Sequence, residues 1–131
     1  MATGTTPKYA DGTDSGWKDD TNITSKSYTG HIYYRKIGNV VEVRGIVNLN
    51  SDLSGLSGQL LGILPSAYRP SKKSGETDND SLVICTAGNP NTGGMSMLTI
   101  SPGGGMRFYK PYTVGSWLTT TSIYFHGIYL A

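Results

Sequence analysis

The sequence predicts one all-β domain, folded as an antiparallel β-sandwich or a jelly-roll-like β-barrel with little or no helix. The chain has 131 residues, the size of a single domain that buries its own core. Runs of β-branched and aromatic residues recur at short spacing between turn-forming residues, which include 18 glycines and 6 prolines. The glycine-free stretch Trp17–Thr29 has no apolar repeat of 3.6 residues, so we expect at most one short helical turn.

Residues 1–30 are polar and rich in Gly, Thr, Asp and Ser, with isolated aromatic side chains among them. This composition predicts an extended lead-in that contains one or two short strands. We divide the chain into a flexible lead-in or linker over residues 1–14 and the all-β domain over residues 15–131.

The clearest element is a hairpin whose two strands are predicted over His31–Ile37 and Val40–Leu49. Gly38 and Asn39 separate the strands, and both residue types tolerate the positive φ of a two-residue hairpin turn. The second strand alternates with a period of two, which indicates one buried face and one solvent face. Its apolar face comprises Val41, Val43, Val47 and Leu49, and its polar face comprises Glu42, Arg44 and Asn48, with Ile46 as an apolar exception.

Five further strands are predicted from apolar runs that are bounded by turn residues. They cover Gln59–Leu64, Ser81–Ala87, Met95–Ser101, Met106–Lys110 and Ser122–Leu130. We expect the run Ser81–Ala87 to be buried, with Cys85 as a buried thiol that acts as a small apolar side chain. Pro102–Gly105 forms a second hairpin turn. The outer face of the last strand is predicted to carry Tyr124, His126, Ile128 and Leu130.

Charge and hydropathy exclude two classes of partner. The chain has 11 basic and 9 acidic residues, and no basic run is longer than the two residues of Lys72-Lys73, so we expect no nucleic-acid partner. No run approaches the roughly 20 apolar residues of a membrane span, so we expect no membrane insertion. Met1–Gly4 lacks the charged and apolar regions of a secretory signal, which predicts synthesis in the cytoplasm.

Motifs for catalysis and metal binding are missing from the sequence. There is no G-x-S-x-G motif, and eight of the nine acids lie outside the predicted strands, Glu42 being the exception. The sequence has no Cys/His cluster, and Asp78-Asn79-Asp80 lacks the spacing of a calcium-binding loop. We therefore expect a protein that is not an enzyme, with no catalytic residues, no metal site and no cofactor.

The chemistry that remains is aromatic, since the chain has nine Tyr, two Trp and two Phe. Tyr and Trp combine an apolar ring with a polar edge, which suits stacking against sugars and wet interfaces. The alternative is that these rings fill the core or a subunit contact. The aromatic candidates in or near predicted loops are Trp17, Tyr68, Tyr109, Tyr112 and Trp117.

Four segments, taken in order, resemble the C-terminal head domains of bacteriophage tail fibre and baseplate receptor-binding proteins. Ser15–Asp19 contains a Gly-Trp step, and Tyr34–Gly45 is similar to the first hairpin of those heads. Leu64–Pro70 is similar to their Leu-Pro-x-Gly-Tyr-Arg-Pro turn, with Ala67 where Gly is frequent. Tyr124–Leu130 resembles their final strand, so the similarity spans most of residues 15–130.

This resemblance implies a homotrimeric head that is made in the host cytoplasm and mounted at the tail tip of the virion. It implies contacts with other phage tail or baseplate proteins and binding to host cell-wall polysaccharide during adsorption. Aromatic stacking and hydrogen bonds from Asp and His side chains would hold the sugar. The candidate saccharide-binding residues are Trp17, Tyr68, Asp78, Asp80, Tyr109, Tyr112, Trp117 and His126.

Two alternatives stay open at this point. The chain fits a purely structural baseplate or fibre connector, whose aromatic side chains would lie at protein contacts. It also fits a fragment of a polysaccharide depolymerase, which would need two acids or a nucleophile and a base converging in a cleft.

Overall fold

The described residues of the protein form one antiparallel sheet of seven strands that curls into a nearly closed barrel. It is seen in a computed structural model that describes residues 13–51, 58–91, 94–109 and 122–131. The strands are β1 (Tyr28–Ile37), β2 (Val40–Leu49), β3 (Gln59–Ile63), β4 (Val83–Asn89), β5 (Gly94–Ile100), β6 (Gly105–Phe108) and β7 (Ile123–Leu130). Their order across the sheet is β1-β2-β7-β4-β5-β6-β3. The predicted all-β antiparallel class is confirmed.

The chain segment just before β1 brings the two ends of the sheet together. The backbone N–H of Thr24 donates to Ile63 O at 3.1 Å, and the N–H of Ile63 donates back to Thr24 O at 2.9 Å. The N–H of Ser27 donates to Leu61 O at 2.9 Å. Because Thr24–Ser27 runs directly into β1, these bonds join the β1 end of the sheet to the β3 end and satisfy an edge that would otherwise be open.

The segment before β1, residues 13–27, also covers part of the outer edge of β1. Lys18 and Tyr34 exchange two backbone hydrogen bonds of 2.8 and 3.1 Å, and the N–H of Ser15 donates to Lys36 O at 2.8 Å. The N–H of Gly38 donates to Thr13 O. The predicted short strands of the lead-in are therefore isolated bridges, which fix residues 13–27 against the sheet.

Alternating side chains of the strands fill the barrel. In β7 every second residue from Ile123 to Tyr129 is buried, and the residues between them are exposed. In β2 the predicted apolar face is buried, and Ile46 lies on the outer face with 51% of its surface exposed. Burying a Val or Leu side chain stabilises a fold by about 1.5–3 kcal/mol, so this interior set supplies the main driving force. The largest fully buried side chains include Tyr34, Phe108, Ile32, Leu61 and Leu98.

Two predictions need correction. The run Ser81–Ala87 was expected to be buried, but β4 buries only alternate residues, and Ile84 is 67% exposed because it lies on the outer face. The described part of the chain contains two 3₁₀ turns, over Asp20–Asn22 and Ser66–Tyr68, where at most one was expected. The Asp19 side chain starts the first by accepting from the N–H of Thr21 at 3.0 Å. Among the described residues no helix has the length and apolar character needed to cross a bilayer.

The close packing of β1 on β2 predicts that Gly30→Ala destabilises the fold more than Gly75→Ala. Both glycines have positive φ, +98° and +89°. A Cβ at Gly30 would collide with the carbonyl oxygen of Ile46, whereas a Cβ at Gly75 meets nothing within 4 Å. We expect losses in the free energy of unfolding of about 3 kcal/mol and about 1 kcal/mol respectively, measured by urea denaturation. Equal losses of unfolding free energy in the two variants would contradict the close contact between Gly30 and the Ile46 carbonyl.

Candidate functional site

An open groove of about 1010 Å³ lies on the outer face of the sheet, across β1, β2, β7 and β4. We call it the outer-face groove. Strand register sets its side chains in two rows, because residues paired across antiparallel strands lie side by side on one face. The first row is Tyr33, Arg44 and His126, and the second row is His31, Ile46 and Tyr124.

The two tyrosines give the groove exposed aromatic surface. Tyr33 is 40% exposed and Tyr124 is 39% exposed, so part of each ring is available to a ligand. The His31 ring stacks beside Tyr33 with the centroids 5.8 Å apart. Tyr124 also borders a smaller hollow of about 300 Å³, whose lining includes Met95. The Tyr124 ring therefore separates two depressions of the same surface.

Backbone forms part of the groove lining at Gly30 and Gly45. Gly45 pairs with Phe125 across the β2–β7 ladder, and a Cβ at Gly45 would lie 2.7 Å from the Phe125 ring. The ring thus occupies the space that a side chain at residue 45 would need. Glycine at residues 30 and 45 therefore lets the neighbouring strand and the Phe125 ring pack closely beneath the groove.

Glu42 holds two of the polar groups of the groove through one oxygen atom. Nε2 of His126 lies 2.6 Å from Glu42 Oε2, and Nη2 of Arg44 donates to the same Oε2 at 3.1 Å. Burial raises the pKa of Glu42, but the hydrogen bond with His126 and the charge of Arg44 lower the pKa more, so it lies below its usual value. The carboxylate is therefore charged at neutral pH.

Trp17 lies beside the groove, in contact with two guanidinium groups. The Cζ atoms of Arg44 and Arg35 lie 4.6 and 5.7 Å from its ring centroid, within the range of cation–π attraction. Asp14 fixes Arg35 by accepting from its Nε at 3.1 Å and its Nη2 at 2.6 Å. This hydrogen bonding from Arg35 lowers the pKa of Asp14. With 41% of its surface exposed, Trp17 extends the aromatic surface next to Arg44.

The structure brings Trp17 and His126 together around Arg44 and places two other predicted aromatic residues elsewhere. Tyr68 packs edge-on against the Tyr34 ring at 4.6 Å, and its carbonyl accepts from the Tyr129 hydroxyl at 2.6 Å. The carbonyl of Tyr109 accepts from Ser96 Oγ at 2.6 Å, and its ring fills the space next to Gly58. Both residues are half-buried parts of the scaffold. Tyr112 and Trp117 lie outside the described residues.

The two predicted aspartates belong to surface turns away from the groove. Asp78 pairs with Lys72 at 3.0 Å. Asp80 accepts from the N–H and the hydroxyl of Thr77, at 2.9 and 3.0 Å. These bonds lower the pKa of Asp80. They also give its side chain a local role in shaping the turn.

Sequence reasoning missed Tyr33, Arg44 and Tyr124 as candidate site residues. The signal was present, because the strand alternation placed Arg44 on the polar face of β2 and Tyr124 with His126 on one face of β7. The apolar exception Ile46 marked the same face. Most of the aromatic residues predicted for the site lie in or near loops, whereas this groove is built on strands.

The described residues contain neither a grouped set of metal ligands nor an exposed cysteine thiol. No three His, Cys, Asp or Glu side chains in the described part of the chain are grouped to hold a metal ion. Cys85 is buried as predicted, and burial raises the pKa of its thiol to about 11. A thiol that stays protonated at neutral pH is a poor nucleophile.

No protein-family model, no curated protein and no solved structure matches the chain. What the groove does is therefore inferred from its own residues.

The lowered pKa of Glu42 predicts that Glu42→Gln weakens the acid sensitivity of the fold. A carboxyl whose folded pKa lies below its unfolded value stabilises above the unfolded pKa, and this stability is lost as pH falls through the folded pKa. Between pH of about 6 and about 3, we expect the Tm of the wild type to fall about 2–4 °C further than that of Glu42→Gln. Glu76→Gln, in a surface turn, controls for net charge. Parallel Tm curves for the wild type and Glu42→Gln would contradict the stabilising contacts of Glu42 with His126 and Arg44.

Proposed function

We propose that the chain is the receptor-binding head of a bacteriophage tail fibre or baseplate, and that it binds host cell-surface saccharides through the outer-face groove. The observation that carries the proposal is the pairing of exposed aromatic rings with polar donors in one open groove. Tyr33 and Tyr124 supply the rings, and Arg44 and His126 supply the polar groups.

A sugar ring matches this combination chemically. One face of a pyranose presents C–H groups that stack on an aromatic ring, and its rim presents hydroxyls that donate and accept hydrogen bonds. The first row of the groove places Tyr33 beside Arg44 and Arg44 beside His126. A single saccharide unit can thus contact a ring and two polar side chains at once.

The strands hold these groups in place before a ligand arrives. Arg44 is fixed by Glu42 and Trp17, and His126 is fixed by Glu42. Side chains already held by neighbours lose little conformational freedom on binding, which improves affinity for a weakly bound sugar. A trimer would present three grooves, and several trimers on one virion would raise the avidity further.

The four segments that resemble phage heads pack against one another in this chain. The Gly-Trp step, through Lys18, pairs with Tyr34 of the first hairpin. The Tyr68 ring in the Leu-Pro turn packs against Tyr34, and Tyr129 in the last strand donates to the Tyr68 carbonyl. The proposal therefore treats the four segments as one connected unit of the head.

We favour a binding protein over an enzyme. A glycoside hydrolase uses two carboxyl groups that flank the scissile bond. Among the described residues, those that line the groove include no Asp or Glu, and the neighbouring Glu42 is engaged by His126 and Arg44.

A structural role in the virion is the second candidate, because the outer face also carries exposed apolar side chains beyond the groove. Ile84 is 67% exposed, Ile128 is 61% exposed and Leu130 is 56% exposed, as expected of a protein contact. Both candidates predict a mass in solution of three times the 14.0 kDa chain, measured by light scattering. A monomer at all concentrations would contradict the trimer, and a trimer that binds no glycan would favour the structural role.

The saccharide site is tested by Tyr124→Ala. Removing the ring should weaken binding to host cell-wall fragments by about tenfold or more, because a stacked ring contributes about 0.5–1.5 kcal/mol beyond the area it buries. Affinity is measured by calorimetry on fragments that block phage adsorption. Leu130→Ala, on the same strand and face but outside the groove lining, should keep the wild-type affinity. If Tyr124→Ala binds as the wild type does, the groove is not the site.

A further inference from the structure

Arg44 is the only residue with a fixed charge among the described residues that line the outer-face groove. Its charge is not free, because Nη2 lies 3.1 Å from Glu42 Oε2. A second cation on this face, Arg35 against the Trp17 ring, is paired with Asp14 at 2.6 Å. The groove and its border therefore contain positive groups whose charges are each balanced by a carboxylate.

Glu42 balances the charge of Arg44 from the adjacent row of the sheet. It pairs across the strands with Arg35 on one side and Ile128 on the other, one row from Tyr33, Arg44 and His126. Oε2 alone meets both His126 and Arg44, and Oε1 accepts none of the hydrogen bonds found among the described residues. One carboxylate thus orients both polar groups and balances the charge of Arg44.

This arrangement distinguishes between classes of saccharide. The Arg44 guanidinium has five N–H donors, and the bond to Glu42 uses one of them, so N–H groups remain for hydroxyls. An uncharged sugar can accept these bonds without disturbing the ion pair. An anionic sugar would approach the Glu42 carboxylate as well, or would have to displace it from Arg44, and both steps oppose binding.

We infer that the outer-face groove takes an uncharged saccharide, and that Glu42 is the residue that determines this specificity without lining the groove itself. The inference rests on the proposed function, since it names the ligand class of the same site. Glu42 acts through Arg44 and His126, so it is a positioning residue.

The inference is tested by comparing how tightly the protein binds the charged and the uncharged member of matched glycan pairs. One pair is a phosphorylated mannan oligosaccharide and its phosphatase-treated form, and the other is oligogalacturonate and its methyl ester. The two pairs separate phosphate from carboxylate as the source of negative charge. Both are placed on an array with host cell-wall fragments, and the fragments that bind are fractionated by anion exchange. Binding is measured at low and high NaCl, because screening reveals unpaired charge.

We expect the wild type to bind the uncharged member of a pair, and the uncharged fraction of the fragments, about tenfold more tightly than the anionic one. Glu42→Gln keeps the shape of the side chain but frees the charge of Arg44. It should reduce the preference by about tenfold and should make anion binding sensitive to salt. Glu76→Gln removes the same charge from a surface turn and should leave the preference unchanged.

A double variant keeps the test interpretable if Glu42→Gln weakens the fold. Glu42→Gln with Arg44→Gln removes both members of the ion pair, so the uncharged preference should return even though total affinity falls. Melting curves of each variant report whether it is folded.

The outcomes separate this inference from the proposed function. A wild type that binds anionic members equally well or better, or a Glu42→Gln variant with unchanged preference, overturns the inference and leaves the saccharide site standing. A wild type that binds no glycan and no host fragment overturns both.

Discussion

The two-residue alternation of side chains along β2 and β7 is the constraint on which both the core and the candidate site depend. Val43 and Phe125 point into the barrel, and their strand neighbours Arg44 and Tyr124 point out of it. A shift of one residue in the β2–β7 pairing would exchange the two sets. It would bury Arg44 and expose valines, so the burial of the core fixes the groove in place.

Closure of the barrel protects this arrangement at its edges. The lead-in residue Thr24 bonds to Ile63 of β3, while Lys18, earlier in the same segment, bonds to Tyr34 of β1. The same lead-in carries Trp17 to Arg44 and Asp14 to Arg35. The segment that the composition marks as polar and extended therefore performs two roles, since it satisfies strand edges and completes the aromatic surface beside the groove.

Much of the fold followed from the sequence, because turn residues and alternation are local signals. The Gly38-Asn39 turn, the bounds of β2 and the outer face of β7 were predicted residue by residue, whereas β1 begins at Tyr28, before its predicted start at His31. The exposure of Ile84 was not predictable, because a run of four apolar residues does not reveal that one face of β4 lies outside the barrel. The site was predicted only in part for a related reason. Trp17 and His126 meet at Arg44 through strand order, and strand order places β7 next to β2 although they are far apart in the chain.

The central claim is that ligand binds on the strands of the outer face and not at the loops. It is tested most directly by NMR, with host cell-wall fragments titrated into ¹⁵N-labelled protein. We expect the largest amide shifts at Tyr33, Arg44, Tyr124 and His126, which are neighbours on three adjacent strands. Shifts confined to the surface turns around Asp78 and Tyr68, with the four strand residues unmoved, would contradict the claim.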